Sequence, residues 1–213
     1  MKILGVSGSP RRGSTTDRLV QAVLEGAACD TEFVSLAGRR IGPCIACLGC
    51  VEDNVCKVRD DMAPLREKVL AADALVIGAP NYFGLLNGLT HCFLERFYQF
   101  RHRDRALLAG KLGAVASVGG RMPDPPAENV RAFFAANQIE YVGAVSAQGP
   151  ASCFSCGYGE GCDAGAVRKL YGPNPRITPE TTPDLAKQPE KIEAARALGA
   201  ELARRLRERA AAP

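Results

Sequence analysis

The sequence predicts an α/β protein built on a doubly wound parallel sheet. Two features predict it. Five short runs are almost wholly apolar, the pattern of strands buried on both faces. Helical stretches separate the runs, and right-handed crossovers then place helices on both sides of one sheet.

The elements follow in order. KILGVSG (Lys2 to Gly8) is an apolar run ending in glycine and reads as the first strand. TTDRLVQAVLEGA is a helix with Leu19, Val20, Val23 and Leu24 on one face. TEFVSLA (Thr31 to Ala37) is the second strand. DDMAPLREKVLAA opens on aspartates suited to a helix N-terminus. ADALVIGAP (Ala72 to Pro80) is the third strand, and GLTHCFLERFYQF an amphipathic helix. KLGAVASVGG (Lys111 to Gly120) is the fourth strand, PAENVRAFFAANQ a helix, and EYVGAVSA the fifth strand. A long loop over residues 148–186, rich in Gly, Pro and Cys, precedes a charged terminal helix over 187–210. A cysteine-bearing loop spans 37–61, and nothing divides residues 1–213 into more than one domain.

Bulk properties bound the function. A chain of 213 residues can bury a full core. Its net charge of +4 is too mild to predict nucleic-acid binding. No apolar run reaches the length of a transmembrane helix, and MKILGVSGSP lacks the long apolar core of a signal peptide. The expectation is a cytoplasmic protein with no nucleic-acid and no membrane partner.

Parallel sheets of this kind bind ligands beyond the carboxyl ends of their strands. The loop after the first strand, SGSPRRGSTT, offers the hydroxyls of Ser9, Ser14, Thr15 and Thr16 together with Arg11. Amides at the following helix start add a positive dipole end. The loop nearly makes a P-loop but lacks its lysine, and it lacks G-x-G-x-x-G. A loop built from hydroxyls suits one terminal phosphate monoester, as in FMN. Two further loops fall at the same edge: Pro80, Asn81, Tyr82, Phe83 and Gly84 after the third strand, and Ser117, Gly119, Gly120 and Arg121 at the end of the fourth. Asn81 suits a pyrimidine edge, Tyr82 and Phe83 supply aromatic surface, and Gly119 and Gly120 allow close approach to a flat ring. Arg121 places positive charge near a reduced flavin.

Nine cysteines are many for such a chain. In a reducing compartment their clustering points to metal or redox chemistry rather than to a disulfide framework. Cys44, Cys47, Cys50 and Cys56 fall in one short loop. Four thiolates converging there suit an iron–sulfur cluster, and zinc, disulfides or free thiols are the other readings. CFSCGYGEGC adds Cys153, Cys156 and Cys162 in the long loop, at the same sheet edge: a redox dithiol, a zinc site with a fourth ligand, or unused thiols. Cys29 and Cys92 read as small buried residues. His91 and His102 have no nearby carboxylate pair, and no catalysis is assigned to them. The basic stretch Arg101 to Arg105 reads as a solvated helix end.

GSPRRGST, GAPNYFG and the cysteine loop followed by RDDM together resemble the NADPH-dependent FMN reductase-like flavoproteins, in particular their iron–sulfur flavoprotein branch, over about residues 1 to 150. The resemblance implies a flavodoxin-like fold with strand order 2-1-3-4-5, non-covalent FMN, and a homodimer or homotetramer. It implies that Cys44, Cys47, Cys50 and Cys56 hold a [4Fe–4S] cluster, matching the motif C-x2-C-x2-C-x4–7-C. The implied function is an FMN-dependent oxidoreductase passing electrons between a donor (ferredoxin or NAD(P)H) and a small-molecule or quinone acceptor. The alternatives are a cluster-free NAD(P)H-dependent FMN or quinone reductase, a flavodoxin-type electron carrier, and a thiol- or metal-sensing protein.

Overall fold

A computed structural model describes residues 1–103 and 106–211. Asp104 and Arg105 of the basic stretch therefore lie outside the described residues. Five parallel strands form the sheet: β1 (Lys2–Ser7), β2 (Asp30–Ser35), β3 (Ala74–Tyr82), β5 (Leu112–Gly119) and β6 (Glu140–Gln148). They lie in the order β2-β1-β3-β5-β6, which is the predicted order of the five. A sixth strand, β4 (Leu85–Leu86), turns back antiparallel on β3, with Asn81 opposite Leu86 and Tyr82 opposite Leu85. It is too short to leave a period-2 signature, and the sequence reading missed it.

The central strands read as continuous apolar runs because both faces are covered. On one side α2 (Met62–Ala71), α3 (Gly88–Glu95) and α4 (Pro125–Ala136) pack Met62, Leu65, Phe93 and Phe134 onto the sheet, joined by Phe97 from the 3-10 turn after α3. On the other, α1 (Thr15–Gly26) and α6 (Pro189–Ala211) pack Leu19, Val23, Leu202 and Leu206. Helices α1 and α6 approach so closely that a Cβ at Gly199 would stand 1.8 Å from the carbonyl oxygen of Val23. No side chain fits there.

The segment after β6 is less extended than the predicted 148–186 loop. It carries a 3-10 turn (Ser152–Phe154), the short helix α5 (Ala166–Tyr171) and a second 3-10 turn (Leu185–Lys187). It is tied back at its end. Arg18 on α1 makes a bidentate pair with Asp184 at 3.0 and 3.1 Å. The amide side chain of Gln188 accepts from Gln148 N–H at 2.9 Å and donates to Gln148 C=O at 2.8 Å, closing the exposed edge of β6 like one more strand residue. The predicted helix over 88–100 is α helix only to Glu95 and tightens to 3-10 over Arg96–Phe100. That tighter turn aims Arg96, Gln99 and the chain at His102 toward the cysteine loop.

Among the described residues no helix is long and apolar enough to cross a membrane.

Candidate functional site

The first site forms where β1, β3 and β5 end. A cavity of about 370 Å³ lies between the loops that follow them. Ser14 caps α1: its Oγ accepts from Asp17 N–H at 3.2 Å and donates to Asp17 Oδ1 at 3.1 Å. Ser9 Oγ accepts from Arg11 N–H at 3.1 Å, which curls the loop. Arg11 reaches across the cavity mouth to the carbonyl of Pro150 at 3.2 Å. Thr15 and Thr16 are 6% and 3% exposed and line the cavity. Threonine side chains lining a cavity beside helix-start amides are what a phosphate group needs. A Cβ at Gly149 would stand 3.1 Å from Thr15 Oγ1, so glycine there keeps the cradle open.

Ser9, Arg11, Ser14, Thr15, Thr16, Pro80, Asn81, Tyr82, Phe83, Gly119 and Gly120 all line this cavity. Three predicted residues do not. Ser117 is wholly buried in β5 and donates to the carbonyl of Pro123, with the Ala79 carbonyl 3.3 Å from its hydroxyl. Its role is to join loops beneath the cavity. Gly84 supplies the turn of the β3–β4 hairpin at φ +83°, and its N–H donates to Asn81 Oδ1 at 2.7 Å. Arg121 is exposed beyond the cavity rim. Asn81 spends both ends of its amide on protein, since its Nδ2 also donates to Met122 C=O. Phe83 is fully exposed and held at φ +59°, a conformation that costs a non-glycine residue free energy and recurs at binding sites. Val118 and residues 149–153 complete the wall. The cavity suits FMN: hydroxyls and amides for the phosphate, aromatic and backbone surface for a flat ring.

The second site is the cysteine loop, which packs against α3 and the 3-10 turn. Cys44 N–H donates to Glu95 Oε2 at 3.0 Å, and Cys56 N–H to Gln99 Oε1 at 3.1 Å. Asn54 and His102 are paired reciprocally. Asn54 Oδ1 accepts from His102 N–H at 2.9 Å, while Asn54 Nδ2 donates to His102 C=O at 3.3 Å. Arg96 is 2% exposed and bridges the loop from beneath. It donates to Gly42 C=O, to Asp60 and, at 3.1 Å, to Cys56 Sγ. Burial alone would raise the Asp60 carboxyl. Hydrogen bonds from Arg96 and from the Met62 and Gly42 amides outweigh it and hold the group below its ordinary value. Ala46, Leu48 and Asn54 have positive φ, which concentrates backbone strain in this loop.

All nine cysteines are free thiols. Burial pushes the Cys50 thiol up, and the nearby sulfurs of Cys56, Cys44 and Cys47 act in the same direction. Among the described residues no three His, Cys, Asp or Glu groups converge tightly enough to hold one metal ion. A cubane cluster spaces its four sulfurs more widely than a single ion does. Four thiols on one buttressed loop, with a guanidinium donating to one of them, are a donor set that could hold such a cluster. Sequence reasoning missed the buttresses Arg96, Glu95, Gln99 and Asn54, and it left His102 without a role. His102 Nε2 lies 3.1 Å from Cys50 Sγ, and His91 lies 3.5 Å from Glu95.

The hairpin β3–β4 stands between the two sites. Tyr82 lines the first cavity, while Leu86 lines an apolar cavity of about 610 Å³ bounded by Cys44, Cys50 and His102.

Comparison with known proteins agrees with this geometry. Over 123 residues the chain is 37% identical to an iron–sulfur flavoprotein of Methanosarcina thermophila, covering 56% of this chain and 64% of that protein. Over 122 residues it is 35% identical to an iron–sulfur flavoprotein of Methanocaldococcus jannaschii, covering 56% and 62%. The chain thus spans a little under two thirds of the length of these curated relatives. The structure of the Trp repressor binding protein from Bacillus subtilis superposes with a TM-score of 0.60 at 18% identity, covering 93% of this chain and 98% of that one, which shows a shared fold. Residues 1–149 match the profile of the NADPH-dependent FMN reductases, and the chain belongs to that family.

Proposed function

We propose that the chain is an FMN-dependent oxidoreductase carrying a [4Fe–4S] cluster on Cys44, Cys47, Cys50 and Cys56. In this reading it passes electrons between a donor (reduced ferredoxin or NAD(P)H) and a small-molecule or quinone acceptor. Bound FMN supplies one- and two-electron transfer, and the cluster supplies single electrons. The chain's own residues bind and orient. Thr15, Thr16 and the loop amides take the phosphate. Tyr82, Phe83, Gly119, Gly120 and the segment at Pro150, which line the same cavity, would hold the ring and keep water from it. Arg96 and the Asn54–His102 pair hold the cysteine loop in shape.

The observation that carries this reading is the shared wall: a single short hairpin bounds both the hydroxyl-lined cavity and the cysteine-loop cavity. The names of the curated relatives support the cluster. We take the compartment to be the cytoplasm, where densely clustered cysteines serve metal or redox chemistry. Exposed Ile45 and Leu48 beside the cysteines favour assembly of copies of this chain into a homodimer or homotetramer.

One observation favours a cluster-free NAD(P)H-dependent FMN or quinone reductase instead: residues 1–149 match the NADPH-dependent FMN reductases, a match that needs no cluster. Anaerobic protein mixed with NAD(P)H or with reduced ferredoxin separates the readings. Flavin absorbance and the electron-spin signal of a reduced cluster are followed together. Appearance of both signals supports the proposal. Flavin bleaching by NAD(P)H with no spin signal favours the plain reductase. Reduction by ferredoxin without turnover of small acceptors favours an electron carrier.

A further inference from the structure

Five cysteines remain outside the function proposed above; three of them fall in the segment after β6, and one of these faces the flavin cavity. Cys153 lines that cavity with Thr15, Tyr82 and Gly120. It sits in the 3-10 turn Ser152–Phe154, closed by Phe154 N–H to Ala151 C=O and Ser155 N–H to Ser152 C=O, each 3.0 Å. Cys156 is three residues on, and its sulfur lies 3.5 Å from the Cys153 carbonyl oxygen. Each sulfur also accepts a backbone N–H: Cys153 from Ala166 at 3.2 Å, Cys156 from Tyr158 at 3.4 Å. Cys153 is half-buried against the cavity, whereas Cys156 is exposed. One sulfur thus faces the cofactor site and its neighbour faces solvent. Gly157, next in sequence at φ +84°, gives the backbone freedom to bring the pair together. Cys162 opens instead onto a separate cavity with Tyr158, Glu160 and Ile177.

We propose that Cys153 and Cys156 form a reversible disulfide that exchanges an electron pair with the flavin, giving the chain a thiol–disulfide activity. The inference rests on FMN occupying the first cavity. In the reducing direction the S–S bond accepts two electrons from dihydroflavin and breaks. The two protons the dihydroflavin gives up, from N5 and N1, complete two thiols, and the flavin ends oxidised. In the reverse direction the dithiol loses two electrons and two protons to oxidised flavin. Exposed Cys156 is the sulfur that exchanges with an external disulfide.

The test uses the FMN-loaded protein without oxygen. Diamide first oxidises the dithiol, and light with EDTA then reduces the flavin without any pyridine nucleotide. Thiols are alkylated before and after, and the tryptic peptide spanning residues 132–168, which holds all three cysteines, is weighed. The expected result is one alkylated cysteine after diamide and three after the flavin bleaches. Cys162→Ala keeps this switch, and Cys156→Ala abolishes it. A bleached flavin beside a persistent disulfide overturns the inference and leaves the FMN reading standing. Three alkylatable thiols throughout, or a bond that requires Cys162, also overturns it. A protein with no flavin spectrum overturns both.

Discussion

The guanidinium of Arg96 donates to the sulfur of Cys56 at 3.1 Å while paired beneath the loop with Asp60. A buried charge of this size is costly unless every neighbour answers it. Here the neighbours are one carboxylate, two carbonyls and one thiol, all of the cysteine loop. The loop and the 3-10 turn that carries Arg96 are therefore one structural unit.

Arg96→Met removes the cation and strands Asp60 in a half-dry site. Breaking a buried pair in this way costs roughly 3–5 kcal/mol. Urea unfolding of the FMN-loaded protein should show a loss of that order. Arg96→Lys keeps the charge but not the planar fork. It should fold with cluster content retained and shift the cluster's midpoint potential to more negative values, because a donor to a ligating sulfur is lost. An unchanged potential would separate the Arg96–Cys56 contact from redox tuning.

Asp60 gives the protein a pH signature. Its carboxyl is held below the ordinary value when folded. The stability it contributes is complete above about pH 4, the unfolded value, and is lost as pH falls through the lower folded value. Wild type and Asp60→Asn should therefore differ most in urea midpoint near about pH 7 and converge as pH falls through the lowered folded value. A constant gap across that range would remove Asp60 as the cause.

The phosphate cradle predicts selective loss of FMN. Thr15→Val and Thr16→Val preserve shape and remove only the hydroxyl of a cavity-lining residue. A hydrogen bond to a charged group is worth about 1.5–3 kcal/mol, so each change should raise the FMN dissociation constant roughly 10-fold or more. Riboflavin, which lacks the phosphate, should bind wild type and variants alike. Equal weakening for both ligands would place the phosphate elsewhere.

The α1–α6 contact predicts a purely structural lesion. Gly199→Val drives a side chain into the Val23 carbonyl and must part the helices. A loss of about 2 kcal/mol or more, read by thermal or urea unfolding, is expected, with FMN affinity of the remaining folded protein unchanged. Retention of wild-type stability would mean that α6 is not docked on α1 as described.

The legible parts of the sequence were those whose signal is local. Runs such as Ala74 to Pro80 announce a strand covered on both faces, and the Leu19–Leu24 stripe announces a helix lying on it. The hydroxyl loop and the close spacing of Cys44, Cys47 and Cys50 need no partner from elsewhere to be recognised. The buttresses were illegible because they act across long separations. Arg96 reaches Cys56 forty residues back, and Asn54 pairs with His102 forty-eight residues on. Ser117 was misplaced for a related reason. In a strand buried on both faces, alternation no longer says which way a side chain points, and this one turns into the protein. Helix α5 has six residues, too few for a helical period to be seen.

The cluster on the opening cysteine loop is the central claim, and composition tests it most directly. Protein purified without oxygen is assayed for iron, acid-labile sulfide and FMN per chain. The account predicts about four iron, four sulfide and one FMN, with iron and sulfide lost and FMN kept in Cys47→Ala. FMN without iron in protein never exposed to air would contradict it, leaving the four thiols to other chemistry.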